Sequence, residues 1–167
     1  MSFTVAEITA DDWEAFRDIR LRMLQDTPLA YGETYEASLR IPEAEWRSRA
    51  GRGQEPHNAS FVAVAEDGTW IGIMRGYVSQ ARGPMLISVF VDPGWRSRAT
   101  GVADALLDAV IEWARGEGDT LRLEVHADNP RAAAFYARRG FVPTGNRRPY
   151  ELPPHGDEVE MELPLGR

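Results

Sequence analysis

Apolar and polar residues alternate along this chain with two different periods, which predict strands and helices in turn. A period of two over residues 3–8 predicts a first strand, and apolar residues at helical spacing follow it. Thr9 is suited to cap this first helix because its hydroxyl can accept a hydrogen bond from the first turn, and Pro28 ends the helix. A second, short helix is predicted after Pro42, with Trp46 on its apolar side.

The rest of the chain alternates strands with two more helices. Asp67 and Gly68 separate two apolar runs, which is a strong signal for a hairpin. A nearly continuous apolar run over residues 85–91 is typical of a strand that is covered on both faces. The predicted strands cover residues 61–65, 70–78, 85–91, 121–126, 141–144 and 158–165, and the helices cover residues 101–115 and begin again at residue 130. The order β-α-α-β-β-β-α-β-α-β-β predicts one α/β domain of the α+β type over residues 1–167.

The segment over residues 89–107 combines the end of a buried strand, a turn and the start of an amphipathic helix. The first N–H groups of a helix have no intrahelical partner and lie at the positive end of its dipole, so they attract phosphate. Gly101 and Ala103 are small enough to let a bulky anion approach the main chain. The segment therefore predicts a binding site for a diphosphate.

A second segment, residues 128–141, carries strong helix signals and one residue that these signals do not explain. Asn129 is a good N-cap, Pro130 fits the first helical position and Gly140 fits the left-handed position after the helix. Tyr136 stands among alanines, where helix formation does not require an aromatic phenol.

Together these two segments resemble the GCN5-related N-acetyltransferase (GNAT) family. The resemblance rests on Val91, Asp92, Pro93, Arg98, Gly101 and Ala103 in the first segment, followed by Asn129, Pro130, Phe135, Tyr136, Gly140 and Phe141 in the second. The order of the predicted elements also matches the family, so the resemblance covers nearly the whole chain.

The resemblance implies both a fold and an acyl donor. The fold is a mixed central sheet of about six to seven strands that splays between the fourth and fifth strands and has about four flanking helices. The donor is acetyl-CoA, whose pantetheine arm lies in the splay and pairs with backbone groups that a bulge in the fourth strand leaves free.

Individual positions take roles from the same resemblance. The fourth strand is expected to contact pantetheine, the turn before the third helix to hold the pyrophosphate, and Tyr136 to face the leaving sulfur. The expected cofactor-binding residues are Phe90, Val91, Arg98, Ala99, Thr100, Gly101, Val102, Ala103, Asn129 and Tyr136.

The phosphate turn has two alternative registers. The family arginine usually stands soon after the strand proline, at the place that Arg96 holds here. Arg98 begins the better match to Arg-x-x-Gly-x-Ala, which ends at Ala103. Counting back from the helix also supports Arg98, so we favour this register and keep Arg96 as the alternative.

The expected chemistry needs a proton acceptor, an oxyanion donor and an acid. A main-chain N–H at the bulge, near Phe90 or Val91, is the expected oxyanion donor. Tyr136 is the candidate acid that protonates the departing thiolate. Because the chain has no cysteine, it offers no thiol for an acyl-enzyme, and direct transfer in a ternary complex is expected.

Three side chains and water are the alternatives for the group that accepts the proton of the amine. Glu33 lies in the aromatic connection over residues 29–35, at the expected mouth of the cleft. Glu124 and His126 share one face of the predicted strand beside the splay, and histidine titrates near neutral pH. The expected acceptor-binding residues are Tyr31, Glu33, Tyr35 and His126.

Composition and charge narrow the class of protein. The chain has 167 residues, of which 43% are hydrophobic and 27% charged, as in an ordinary globular domain. A net charge of −7 disfavours nucleic acid as a partner and weakly favours cationic ligands. No apolar run reaches membrane-spanning length and the first residues lack an apolar signal core, so we expect a cytoplasmic protein that does not bind membranes.

Missing residue types exclude several kinds of site. All 19 basic residues are arginine, which excludes a Walker phosphate loop and a pyridoxal Schiff base because both need lysine. The three histidines, His57, His126 and His155, are far apart in sequence, so no metal site is expected.

The sequence therefore predicts an N-acetyltransferase that moves an acetyl group from acetyl-CoA to a primary amine of a small molecule, peptide or protein. The alternative is a module that binds or senses acyl-CoA without turnover. A dinucleotide-binding protein is disfavoured because Gly-x-Gly-x-x-Gly is absent after an early strand. The sheet edges and residues 147–154, predicted as a loop, are candidates for a homodimer contact.

Overall fold

The computed structural model describes residues 2–28 and 30–166. Leu29, the first residue of the predicted connection over residues 29–35, lies outside the described residues. The strands are β1 (Phe3–Glu7), β2 (Asn58–Ala65), β3 (Trp70–Ser79), β4 (Gly83–Val91), β5 (Thr120–His126), β6 (Val142–Pro149) and β7 (Asp157–Pro164). The helices are α1 (Trp13–Asp26), α2 (Tyr35–Ser38), α3 (Glu43–Gly51), α4 (Val102–Arg115) and α5 (Pro130–Arg138).

The seven strands form one mixed sheet in the order β1-β2-β3-β4-β5-β7-β6. Neighbouring strands are antiparallel except β4 and β5, which are parallel and are connected through α4. β4 and β5 share a single register pair, Met85 with Arg122, so they diverge toward their carboxyl ends. The predicted splay between the fourth and fifth strands is therefore confirmed.

Helices pack on both faces of this sheet. On one face, α4 buries an apolar stripe against the strands because its apolar residues recur at helical spacing. This stripe consists of Val102, Leu106, Leu107, Val110, Ile111 and Ala114. On the other face, α1 and α3 cover β2, β3 and β4 through a cluster of Phe16, Ile19, Met23, Trp46, Ala50, Val62, Ile73 and Phe90.

The second cluster does not extend to β5 or β7. Glu124 pairs in register with Glu160, and His126 pairs with Glu158, so these four side chains share one face of the sheet. This face carries polar groups beside the splay, whereas Leu123 on the opposite face of β5 packs in the core under α4. The fold thus places a polar surface next to the gap between β4 and β5.

Two parts of the predicted element pattern differ from the structure. α2 was not predicted; it begins at Tyr35 because the hydroxyl of Thr34 accepts a hydrogen bond from the Ala37 N–H at 3.2 Å. β6 extends to Pro149 rather than ending at residue 144, so residues 147–149 of the predicted loop lie in a strand. Gly145, with φ of 91°, lies in the register shift that lets pairing with β7 resume.

Candidate active site

The divergence of β4 and β5 opens a cavity of ≈ 600 Å³. The cavity is lined by β4 from Met85 to Val91, by β5 from Glu124 to His126, and by the start of α5. The connection between α1 and α2 closes one side of it, where the phenol of Tyr150 accepts a hydrogen bond from the Gly32 N–H at 3.1 Å. The cavity is therefore the feature that the splay was predicted to create.

β4 contains a bulge at Ser88 and Val89. Ile73 of β3 pairs with Phe90 and Arg75 pairs with Ile87, so one residue of β3 faces two residues of β4. Ser88 adopts a φ of 55°, which a serine rarely does and which turns the strand at this point. The bulge was expected near Phe90 or Val91 and lies slightly earlier in the strand, where no glycine marks it in the sequence.

Tyr31 anchors the connection between α1 and α2 to the bulge. Its phenol donates a hydrogen bond to the Val89 carbonyl at 2.8 Å, and Arg20 stacks on its ring at 5.3 Å from the centroid. Burial raises the pKa of Tyr31, so the phenol keeps its proton as a donor at neutral pH. Tyr31 therefore lines the cavity, with its hydroxyl bound to the strand, and its role in acceptor binding stays a prediction.

The predicted phosphate turn forms a second cleft of ≈ 290 Å³, next to the start of α4. Residues 98–100 make one 3-10 turn, and Gly101 then adopts a φ of 74° to start the helix. The first backbone hydrogen bond of α4 runs from the Ala105 N–H to the Gly101 carbonyl at 2.9 Å. The N–H groups of Ala103 and Asp104 precede this bond and line the cleft as unpaired donors at the positive end of the helix dipole.

The two arginines of the alternative registers lie in different environments. Arg96 is held against β4, where it donates to the Val91 carbonyl at 2.7 Å, pairs with Asp26 and stacks on Phe90. Arg98 is exposed at the edge of the second cleft and forms no ion pair among the described residues. Arg98 therefore has its donors free for a phosphate, whereas those of Arg96 are engaged.

Not every residue of the turn faces this cleft. Arg98, Gly101, Val102 and Ala103 line it, but Ala99 and Thr100 do not. The Thr100 hydroxyl instead lies 2.5 Å from the Trp95 carbonyl, so it holds the turn together.

Asn129 takes the N-cap position that the sequence predicts. Its side-chain oxygen accepts a hydrogen bond from the Ala132 N–H at 3.3 Å, which leaves the amide NH₂ on the wall of the large cavity. Phe90 and Val91 line the same cavity on its opposite wall. The cofactor residues predicted on β4 and α5 thus face each other across the splay.

Tyr136 lines the cavity and is only 6% exposed. Its ring packs on Phe141 with centroids 5.6 Å apart. Its hydroxyl forms no hydrogen bond with a described residue. The hydroxyl is still accessible from the cavity, because among the described residues only Ser38 Oγ and Trp46 Nε1 are fully buried side-chain polar atoms without a partner. Burial raises the pKa of Tyr136, and Tyr31 adds to the shift, so the phenol stays protonated at neutral pH.

Glu33 lies in the cavity between two arginines. Its carboxylate contacts Arg20 Nε at 2.8 Å and an Arg49 guanidinium nitrogen at 3.3 Å. Burial alone would raise the pKa of Glu33, but the two arginines outweigh it and hold the pKa below its usual value. Tyr35, predicted beside it, does not line the cavity.

His126 lines the cavity with both ring nitrogens occupied. Nε2 lies 2.6 Å from the His155 carbonyl, and Nδ1 accepts the Asp128 N–H at 3.0 Å. Both ring nitrogens are therefore engaged by main-chain groups, and neither is free to take a proton from a substrate. Glu124, which shares this face of β5, pairs with Arg82 at 3.0 Å and with Arg148 at 2.5 Å.

Glu158 is a cavity residue that the sequence interpretation missed. It pairs in register with His126, two residues from Glu124, and Arg148 contacts both carboxylates, at 2.5 Å from Glu124 and 3.8 Å from Glu158. Burial raises the pKa of Glu158, and the Glu124 carboxylate raises it further, while Arg148, His126 and Arg82 offset only part of the shift. The alternation of Glu158, Glu160 and Glu162 was a signal for an acidic strand face, but it does not say which strand lies next to it.

The described residues form neither a metal site nor a membrane-spanning helix. No three His, Asp or Glu side chains among them converge to hold a metal ion. Within residues 2–28 and 30–166, no helix is long and apolar enough to cross a membrane.

Comparisons with known proteins match this geometry. The chain is 32% identical over 137 residues to the N-alpha-acetyltransferase RimI of Mycobacterium tuberculosis, an alignment that covers 78% of this chain and 83% of the relative. An acetyltransferase of the GNAT family from Streptococcus pneumoniae has the same fold, with a TM-score of 0.80 at 18% identity and coverage of 98% and 99% of the two chains. A phosphinothricin acetyltransferase from Sinorhizobium meliloti, solved with acetyl-CoA, has a TM-score of 0.78 at 22% identity and coverage of 99% and 90%.

A family model gives the same result from the sequence. The model of the Acetyltransferase (GNAT) family matches residues 13–141, which include the splayed strands, the turn at Gly101 and the helix of Tyr136. The resemblance stated from the sequence is confirmed, and the chain belongs to the GNAT family of acetyltransferases.

Proposed function

We propose that the protein transfers an acetyl group from acetyl-CoA directly to a primary amine, with both substrates bound in the cavity beside the bulge of β4. As a GNAT family member it is an acyl-CoA-dependent N-acetyltransferase. The observation that carries the proposal is the convergence on one cavity of the β4 bulge, the phenol of Tyr136 and the carboxyl of Glu158.

The donor binds across the two clefts. The pyrophosphate accepts hydrogen bonds from the free N–H groups at the start of α4 and from Arg98, because both are unpaired and positive. The pantetheine arm follows β4 at Phe90 and Val91 and meets Asn129 on the opposite wall. This route leads the thioester to the bulge at Ser88 and Val89.

The chemical step uses groups on opposite walls. The neutral amine attacks the thioester carbonyl, a C–N bond forms, and a main-chain N–H at the bulge stabilises the oxyanion. The carbonyl then re-forms as the C–S bond breaks, and Tyr136 donates its proton to the thiolate of coenzyme A. The phenol of Tyr136 lines the cavity, has no hydrogen-bond partner in the described chain and carries its proton at neutral pH, which supports this role.

Glu158 accepts the proton of the attacking amine in this proposal. A base must be ionised in the enzyme yet basic enough to bind a proton, and a carboxyl of raised pKa beside the cavity meets both needs better than the doubly paired Glu33. The negative charge of Glu124 helps to raise the pKa of Glu158. Glu33 instead orients Arg20 and Arg49 through its two ion pairs.

The Glu158→Gln variant tests the assignment of the base. We expect kcat/KM to fall by about 100-fold, because the amine loses its proton acceptor. In the native enzyme, activity falls as the pH drops through the pKa of Glu158, and because that pKa is raised, the fall begins at a higher pH than for an ordinary carboxyl. A pH profile of kcat/KM measures both effects. In Glu158→Gln we expect the fall in activity at low pH, the acidic limb of the profile, to disappear.

Two further variants separate the base from its neighbours. Glu124→Gln removes the nearby negative charge, so the acidic limb shifts to lower pH rather than disappearing. Glu162→Gln is the matched control, because Glu162 lies on the same strand and face but pairs with Arg122 outside the cavity. An unchanged pH profile in Glu158→Gln would remove Glu158 as the proton acceptor.

The acceptor is an amine of small size or an exposed amino terminus. The relative RimI is named as an N-alpha-acetyltransferase, which supports an α-amino group as the nucleophile here. A sensing module that binds acyl-CoA without turnover is the alternative, and release of free coenzyme A in the presence of amines separates the two.

A further inference from the structure

Four arginines line the cavity beyond the bulge, at the end away from the phosphate turn. This arginine cluster consists of Arg20, Arg49, Arg52 and Arg75. Two carboxylates compensate it: Glu33 pairs with Arg20 and Arg49, and Glu45 pairs with Arg49 at 3.1 Å. Four cationic groups therefore face two anionic groups, and the cluster is locally positive in a chain of net charge −7.

Arg75 is a largely buried cation of the cluster. Its Nε donates to the Ser60 hydroxyl at 3.1 Å, a terminal nitrogen donates to the Arg49 carbonyl at 3.4 Å, and the guanidinium stacks on Phe16. It forms no ion pair with any carboxylate of the described chain. Its partners are thus all neutral.

The electrostatic surroundings of Arg75 are dominated by positive charge. Burial, together with the neighbouring Arg20, Arg52 and Arg49, lowers the pKa of Arg75 to about 10, and Glu33 offsets only part of the shift. The side chain is still charged at neutral pH. A buried charge without a partner is costly, and an anion bound beside it offsets that cost.

Arg52 provides a second set of free donors. It opens the 3-10 turn that follows α3, and its exposed side chain makes no hydrogen bond or ion pair with the rest of the described chain. Arg20 and Arg49, in contrast, are engaged by Glu33. The donors available to a ligand therefore come from Arg52 and from the unused nitrogens of Arg75.

The cluster begins next to the reacting centre. Arg75 pairs in register with Ile87, the residue just before the bulge, and Arg20 donates to the Ser88 hydroxyl at 3.4 Å. An amine at the bulge is thus only a short molecular length from the guanidinium of Arg75. Guanidinium groups recognise carboxylates and phosphorus oxyanions through paired N–H donors.

We propose that the acceptor is a small amine that also carries an oxyanion, a carboxylate or a phosphonate, which Arg75 and Arg52 bind while the amine reaches the bulge. The proposal rests on the proposed acetyl transfer and adds the chemical class of the acceptor. The net charge of the chain weakly favours a cationic ligand, whereas the local positive charge of the arginine cluster favours an amine that also carries an anion.

The test compares matched acceptors in matched variants. α-Amino acids, their primary amides, α-aminoalkyl phosphonates and short peptide amides are assayed with acetyl-CoA in the native enzyme and in Arg75→Gln and Arg52→Gln. Acids and amides differ in amine basicity, so the readout is the change in the ratio of their kcat/KM values between enzymes. Arg47→Gln is the control, because Arg47 lies on α3 outside the cavity and pairs with Glu43.

We expect the ratio of oxyanion to amide to fall at least ~10-fold in Arg75→Gln, because a hydrogen-bonded charge pair is lost. It falls by a smaller factor in Arg52→Gln and stays unchanged in Arg47→Gln. Comparison of the carboxylates with the phosphonates in the native enzyme then identifies the oxyanion. If Arg75→Gln does not fold, the exposed Arg52→Gln still gives the readout.

Two results overturn the proposal in distinguishable ways. If the native enzyme acetylates the amides with the same kcat/KM as the acids, and neither variant changes this ratio, the oxyanion site is wrong and the acetyl transfer stands. If no amine of the panel is acetylated although acetyl-CoA binds, the proposed function fails and the acceptor class fails with it.

Discussion

Replacing Tyr136 with Phe is expected to lower kcat by ~100-fold or more while the Kd for acetyl-CoA stays nearly unchanged. The phenol is the only group proposed to protonate the leaving thiolate, and a positioned acid contributes a factor of this size. Its hydroxyl makes no hydrogen bond to the described chain, so its removal breaks no protein contact. Steady-state kinetics and calorimetric titration with acetyl-CoA measure the two quantities.

The stability of Tyr136→Phe provides the control for its activity. Phe keeps the ring contacts of Tyr136 with Phe135 and Phe141, so the free energy of unfolding changes little. A loss of stability equal to the loss of activity would make Tyr136 a packing residue. A native kcat in Tyr136→Phe would remove the residue from the mechanism.

The variant Gly101→Glu is expected to weaken acetyl-CoA binding at least ~100-fold. Gly101 lies at the start of α4, and a Cβ there meets no atom within 4 Å, so a new side chain extends into open space beside the phosphate cleft. A carboxylate at this place repels the pyrophosphate and competes for the same N–H donors, and like charges a few ångströms apart cost several kcal/mol at moderate dielectric. Calorimetric titration measures the affinity.

Two other glycine variants provide matched controls for Gly101→Glu. Gly101→Ala introduces the same strain at a φ of 74° without the charge, so it isolates the electrostatic part of the loss. Gly68→Glu places a carboxylate at another left-handed glycine, in the hairpin between β2 and β3, and leaves binding unchanged. Equal affinity in Gly101→Glu and Gly101→Ala would contradict the phosphate turn.

The element pattern was predictable because local signals and packing agree. The apolar stripe of α4 and the caps at Asn129 and Gly140 each specify an element without reference to distant residues. The continuous apolar run of β4 predicted a strand covered on both faces, and the structure covers it with α4 on one side and α1 on the other. The two motif segments then located the splay and the turn at Gly101, for which phosphate binding stays a prediction.

The bulge and the length of β6 were not fully predictable, because each depends on an unusual backbone conformation. Ser88 adopts a positive φ that sequence rules assign to glycine, so the bulge was placed too late in the strand. The strand predicted over residues 141–144 ends just before Gly145, whereas the left-handed conformation of Gly145 lets β6 continue after an irregular pair.

The acceptor end of the cavity was the least predictable part of the molecule. Glu158 enters the site through its register with β5, and Arg75 through its register with β4, and neither pairing has a local sequence signal. Net charge does not describe this end of the cavity, since the acidic residues are spread over the whole chain while Arg52 and Arg75 both line the cavity. The local charge in the cavity therefore depends on how distant strands pair, rather than on the overall composition.

Direct acetyl transfer is tested most directly by the stoichiometry between released coenzyme A and acetylated amine. The purified protein is incubated with acetyl-CoA alone and with the amine panel, and the free thiol, the acetylated product and the intact protein mass are measured together. The proposed reaction predicts no thiol release and no change in protein mass without amine, and one coenzyme A for each acetylated amine when an acceptor is present. Thiol release that leaves an acetylated protein, or binding of acetyl-CoA with no product from any amine, would contradict it.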